Sequence, residues 1–105
     1  MLAFCAYYEG KPNVSPEEFD NYIRETHLPL VKKYPNLVQL RYLQGEEGAK
    51  YYLAFELFFN NWEEFGVAKI SEERSLAVDD ALKLEAMFDG EITHVTYQMT
   101  EVPVD

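Results

Sequence analysis

Apolar positions along this 105-residue chain alternate between two periods. Leu2 to Tyr8 is continuously apolar and aromatic, and too short for a stable helix, so it predicts a strand. Glu9-Gly10-Lys11-Pro12-Asn13 then reads as loop. Phe19, Tyr22, Ile23, Leu30 and Tyr34 recur at helical spacing and form one apolar stripe. The start of that helix is well marked: Ser15 is an N-cap, Pro16 takes the first helical position, and Glu17 and Glu18 occupy the first turn. Ser15 and Glu18 have the spacing of a capping box, and the helix is predicted to reach about Tyr34. Pro35-Asn36 ends it, asparagine being a residue that visits the left-handed region easily. Leu37 to Gln44 alternates, with Val38, Leu40 and Tyr42 on one side and Gln39 and Arg41 on the other. Gly45-Glu46-Glu47-Gly48 is a turn, and Lys50 to Phe59 is a second strand, paired with the first as a hairpin. Asn60-Asn61 opens a short helix carrying Trp62 and Phe65. Ser71 opens a longer one with an apolar stripe of Ala77, Ala81, Leu84 and Phe88, closed by Asp89-Gly90. Glu91 to Val102 reads as the last strand.

The order β-α-β-β-α-β predicts one α+β domain over residues 1–105. It is the ferredoxin-like arrangement, a four-stranded antiparallel sheet with its helices on one face. The uncovered face is then expected to turn polar, yet it does not. Tyr51, Leu53, Phe55, Leu57 and Phe59 share one side of their strand, while Tyr52, Ala54 and Phe58 share the other, interrupted only by Glu56. Leu2, Phe4, Ala6 and Tyr8 face one way, and Ala3, Cys5 and Tyr7 the other. A monomer rarely exposes so large an apolar surface, so a symmetric homodimer, sheet against sheet, is predicted.

Composition narrows the functional classes. The net charge is −10, with 48% hydrophobic and 15% aromatic residues. So acidic a chain, with no basic stripe, repels a phosphate backbone, and neither nucleic acid nor an anionic membrane surface is an expected partner. Residues 60–91 hold nine acidic side chains against three basic ones, which reads as a solvated helical surface. The single cysteine, Cys5, permits no internal disulfide and reads as a small core residue. No run approaches the length of a membrane helix and no signal peptide is evident, so a cytoplasmic protein is expected.

His27 is the leading candidate for chemistry. It falls inside the apolar stripe, and two residues later Pro29 lacks the N–H that the Glu25 carbonyl would otherwise bind. An imidazole aimed at the interior beside such a break is suited to general base or acid work near neutrality. His94 shares a polar face of the last strand with Thr96 and Gln98. Tyr7, Tyr8, Tyr22, Tyr42, Tyr51, Tyr52 and Tyr97 are placed either to pack or to offer phenols to a substrate oxygen. Of these groups, Tyr8, Tyr22, Tyr42 and His94 are the expected substrate contacts. Arg41 and Glu56 stand at polar positions on neighbouring strands and are expected to pair across the sheet or across the dimer interface. No short-range metal-ligand spacing, glycine-rich phosphate loop or nucleophile motif is present, so no metal and no cofactor is expected.

Four segments carry a resemblance. Tyr8-Glu9-Gly10-Lys11-Pro12, Phe19-Asp20-Asn21-Tyr22, His27-Leu28-Pro29-Leu30-Val31 and Tyr34-Pro35-Asn36-Leu37 resemble the EthD domain, named for bacterial degradation of ethyl tert-butyl ether. The likeness spans the length but is specific in the first half; beyond it rests on strand order and the Asp79/Asp80 position. Asn36 stands where family members usually have glycine. The resemblance implies a dimeric α/β barrel, two ferredoxin-like sheets packed face to face, and maps the family histidine onto His27. It implies a role in breaking down small organic molecules. The expected function is a cofactor-independent oxidoreductase-type enzyme, such as a monooxygenase, acting on a small apolar or aromatic substrate with His27 as general base; by the same resemblance a lyase or isomerase stays open. The alternative is a non-catalytic dimer that binds a ligand or supports an oxygenase. Haem binding, by analogy with distant relatives, is a third reading. A cavity reaching His27 favours the enzyme; a sealed, fully bonded ring favours the binding module.

Overall fold

The computed structural model describes every residue, Met1–Asp105. The elements are β1 (Leu2–Pro12), α1 (Pro16–Tyr22), a π-helical turn (Ile23–His27), α2 (Leu28–Val31), β2 (Gln39–Gln44), β3 (Leu53–Phe59), α3 (Trp62–Lys69), α4 (Glu72–Ala86) and β4 (Phe88–Gln98). The strands form one antiparallel sheet in the order β2-β3-β1-β4, the ferredoxin-like topology. One face carries the helices. Leu2 and Tyr8 of β1 and Leu53, Phe55, Leu57 and Phe59 of β3 pack there against Phe19, Ile23, Val31, Phe65, Ala77 and Leu84.

Capping follows the residue chemistry. Ser15 Oγ accepts the Glu18 N–H at 3.1 Å, Asn61 Oδ1 the Glu64 N–H at 2.9 Å, and Ser71 Oγ the Arg74 N–H at 3.1 Å. Each satisfies an amide the first helical turn would leave bare. Asn36 takes the left-handed conformation, φ 64°, in the turn after α2. That helix stops at Val31, not Tyr34. The Lys33 and Tyr34 amides bond only three residues back, to Leu30 and Val31, tightening the last turn.

The largest departure from the sequence pattern is at the β1–β4 end. Glu9 to Pro12, read as loop, continue β1, and Phe88, read as helical stripe, begins β4. Two glycines make this extension fit. Gly10 and Gly90 are partners in register, with φ of 141° and 154°. A Cβ on Gly90 would overlap the Glu9 carbonyl oxygen, and one on Gly10 that of Asp89. The strands approach where no side chain fits, so a glycine that looks like loop chemistry is a pairing device. Gly90→Ala is expected to destabilise the domain by about 2–5 kcal/mol, combining backbone strain and overpacking, as read by urea unfolding.

The second sheet face is partly covered by the chain itself. Ala3, Cys5 and Phe58 are buried there, beneath Met1, Tyr7 and Met99. The Arg41 guanidinium lies 5.0 Å from the centre of the Phe58 ring. The expected Arg41–Glu56 ion pair does not form within one chain, although the two residues are opposite in register. A weakly hydrated, planar guanidinium is well suited to an aromatic face, and here it takes that place. Leu43 and Tyr97 remain 44% and 45% exposed on this side.

Candidate active site

The backbone of the first helix decides where His27 points. Phe19, Ile23, His27 and Val31 are all buried, at a strict spacing of four. In an α-helix of 3.6 residues per turn, each step of four overshoots by about 40°, so the stripe would drift around the helix. The π turn cancels that drift. Its bonding skips five residues, as in the Leu28 N–H donating to the Ile23 carbonyl, and the wider turn winds the stripe back. His27 therefore stays inward, on the face that meets α4. The turn ends two residues before Pro29, which has no N–H to donate to a helical carbonyl.

Asp80 of α4 meets it. Asp80 Oδ2 lies 2.9 Å from His27 Nδ1, and both side chains are 7% exposed. The Tyr22 hydroxyl donates to the other carboxylate oxygen at 2.5 Å. The charge pattern places Asp80 with the solvated acidic run, and the structure corrects that reading. It stands three residues after Ala77 and four before Leu84, inside the apolar stripe. An acid there signals burial as clearly as His27 does in its own helix. A carboxylate can only accept, so Nδ1 carries a proton, and in the neutral imidazole Nε2 is then the nitrogen with the lone pair. Nε2 has no protein partner, while no buried side-chain nitrogen or oxygen goes unsatisfied. Nε2 is therefore the ring atom that reaches open space.

That space is a cavity of about 400 Å³ between the sheet and α4. Its walls include Phe4, Ala6, Phe55 and Leu57 from the strands and Val31, Ala77 and Ala81 from the helices. His27, Tyr8 and His94 all line it, so the strand histidine and the helix histidine share one chamber. The His94 ring stacks on Phe4, with centroids 5.7 Å apart. The His27 ring sits 5.4 Å from that of Phe55. Tyr22 and Tyr42, expected as substrate contacts, lie outside the lining. Tyr22 acts on Asp80, and the Tyr42 hydroxyl donates to Asp20 Oδ1 at 2.9 Å in a separate cluster with Arg24 and Gln44.

These bonds shift the phenols. The hydrogen bond to Asp80, with a smaller contribution from burial, pushes Tyr22 from its ordinary 10.0 up to about 12. Burial raises Tyr8, and burial followed by the Asp20 bond raises Tyr42. A folded-state value above the unfolded one means the folded chain holds its proton longer. The stabilisation is full below pH 10 and lost as pH climbs through about 12. Denaturation midpoints are expected to fall over that window, and Tyr22→Phe is expected to shrink the fall.

No three His, Cys, Asp or Glu side chains converge to hold a metal ion, and no helix is long and apolar enough to cross a membrane. His27 Nδ1 is already committed to Asp80.

Among solved structures, an ethyl tert-butyl ether degradation (EthD) family protein from Bacillus halodurans superposes with a TM-score of 0.80 at 24% identity, over 95% of this chain and 99% of that one. SnoaB, a cofactor-independent oxygenase from Streptomyces nogalater, superposes with a TM-score of 0.68 at 14% identity, over 96% and 94%. A dimeric ferredoxin-like protein of unknown function from Bacteroides fragilis gives 0.65 at 18% identity, over 93% and 95%. No curated protein matches significantly. The EthD domain model matches residues 11–84, a span holding the π turn, His27 and Asp80. This chain is a member of the EthD domain family.

Proposed function

We propose that this protein is a homodimeric enzyme that breaks down small organic molecules, with His27 as the general base. The observation that carries the reading is the Asp80–His27 bond of 2.9 Å beside a cavity of about 400 Å³. Asp80 fixes the tautomer, leaving Nε2 to take a proton from a substrate C–H or O–H. The imidazolium so formed is stabilised by the carboxylate behind it. Tyr8 and His94 are the polar groups facing the substrate from the sheet, and Tyr22 holds Asp80 in place as a positioning residue. The apolar walls select an apolar or aromatic body and exclude water from the developing anion. Where the proton comes from a C–H, addition of dioxygen as co-substrate to the carbanion forms a C–O bond and a peroxide anion that takes back the proton held by His27. The substrate is thereby oxidised and dioxygen reduced without a bound cofactor; SnoaB, a structural relative, is described as a cofactor-independent oxygenase.

The dimer reading rests on the second sheet face, where Leu43 is exposed and Tyr97 lines a hollow of about 480 Å³. Structural relatives are described as dimeric. Light scattering is expected to return twice the 12.3 kDa chain mass; a monomer at micromolar concentration removes this part of the proposal.

The deciding experiment is a crystal structure of protein carrying whatever small molecule co-purifies. A ligand in the cavity with an ionisable C–H or O–H within hydrogen-bond reach of Nε2 supports the base assignment. A ligand bound only elsewhere removes it.

A further inference from the structure

Charge inside the cleft runs against charge on the rest of the molecule. The chain carries −10 overall, and only three basic residues lie between positions 60 and 91. Two of those three, Lys69 and Arg74, line the cavity beside His27. They also line an adjoining hollow of about 260 Å³ walled by Phe4, Tyr34, Trp62, Phe65 and Thr96. The two spaces share Phe4, Tyr34 and these two cations.

The corner between α3 and α4 holds them there. Lys69 is the last residue of α3, and Arg74 lies in the first turn of α4. Arg74 Nη1 donates to the Lys69 backbone carbonyl at 3.3 Å, tying the half-buried guanidinium to its neighbour. Neither residue forms an ion pair; the pairs in the molecule are Arg24–Asp20 and His27–Asp80. Glu72 and Glu73 are exposed and outside the lining. The one acid in the lining, Glu85, is eleven residues beyond Arg74, about 16 Å along the helix, at the opposite end of the chamber. A lysine and an arginine without carboxylate partners, facing one cleft in an acidic protein, make a local anion receptor. The planar fork of arginine matches a carboxylate.

We propose that the substrate is an organic carboxylate, its apolar body beside His27 and its carboxylate between Lys69 and Arg74. This rests on the cavity being the substrate site, as proposed above. It adds a specificity rule: a neutral hydrocarbon or ether fills the walls but leaves Lys69, which has only the Phe65 ring 5.6 Å away, and Arg74 without a counter-charge. Long-range repulsion by the acidic surface slows every anion equally, so selectivity comes from this local pair.

The test is calorimetric titration with 2-naphthoate and its neutral counterpart 2-naphthamide. The acid is expected to bind at least tenfold tighter. In a K69M/R74M variant that preference is expected to collapse to within twofold, with the amide affinity unchanged. Lys69→Met alone, at an exposed position, is expected to weaken the acid about threefold and keeps the test open if the double variant does not fold. Equal binding of acid and amide, including no binding of either up to the solubility limit, overturns the proposal. So does an acid preference that survives in the folded double variant. These outcomes are independent of the base assignment, which is read from turnover after substitution of His27. Acid selectivity that follows Lys69 and Arg74 stands even if His27 proves dispensable for turnover.

Discussion

His27→Asn is expected to lower turnover of the cavity's substrate by about 10²–10⁴-fold, the usual contribution of a positioned general base, while changing substrate affinity only a few-fold. Asparagine is the informative replacement. Its side-chain amide sits close to where Nδ1 sits, so Asp80 keeps a donor, but nothing remains in the place of Nε2. His27→Ala instead strands a carboxylate that is 7% exposed, with only Tyr22 left to satisfy it. Losing one partner of a buried pair destabilises by about 3–5 kcal/mol, so an alanine variant confuses loss of fold with loss of chemistry. The comparison therefore requires matched urea midpoints for parent and asparagine variant, alongside single-turnover rates. A variant that turns substrate over as fast as the parent removes His27 as the base.

Asp80→Asn carries the second large effect, and it arises from a proton's position and not from lost packing. The amide is nearly the size of the carboxylate and still accepts the Tyr22 hydroxyl proton through its oxygen. Its nitrogen, however, donates where the carboxylate accepted. His27 Nδ1 must then become the acceptor, the ring proton moves to Nε2, and the atom facing the cavity can no longer take a proton. A tautomer error of this kind behind a catalytic histidine lowers rates by about 10⁴-fold in the best-known triads, and a fall of that order is expected here. Stability should hold to within about 1 kcal/mol, since both hydrogen bonds survive with changed polarity. Asp80→Leu leaves the Tyr22 hydroxyl and the imidazole N–H without partners, and each stranded group costs about 1–3 kcal/mol. Nitrogen-15 chemical shifts of the imidazole distinguish the tautomers directly. An unchanged tautomer with unchanged turnover in Asp80→Asn would falsify the orienting role.

The fold was readable because its periods are clean. Strand alternation, the Ser15-Pro16 helix start and the Asn36 turn each follow from local chemistry; the helix start and the turn occur where the pattern places them, while β1 runs on to Pro12, β3 begins at Leu53 and not at Lys50, and β4 spans Phe88–Gln98 and not Glu91–Val102. His27 was readable for the same reason, as a polar ring within an apolar stripe. Its partner was marked only through the family resemblance, at the Asp79/Asp80 position, and not by its spacing. Asp80 has the same kind of position, but it sits among eight other acids between residues 60 and 91, and their number masked its spacing. Charge counted along a segment averages away the one member that faces inward. The Gly10–Gly90 contact was hidden differently: both glycines sit in loop-like surroundings, and only their cross-strand partnership, eighty residues apart in sequence, explains them. Lys69 and Arg74 come together only through the corner between two helices, which no single-helix pattern contains.

The widened turn at Ile23–His27 also bears on how this histidine is to be traced in other chains. A π turn absorbs one more residue than an α-helix of the same bearing. A chain lacking one residue between Ile23 and His27 can wind regularly and still present its imidazole at the same azimuth. Its proline would then bear on the carbonyl one turn earlier, a clash the present helix is built to avoid. An equivalent base in such a chain is thus to be matched by bearing and by the acid opposite, since counting from the helix start would place it one position out.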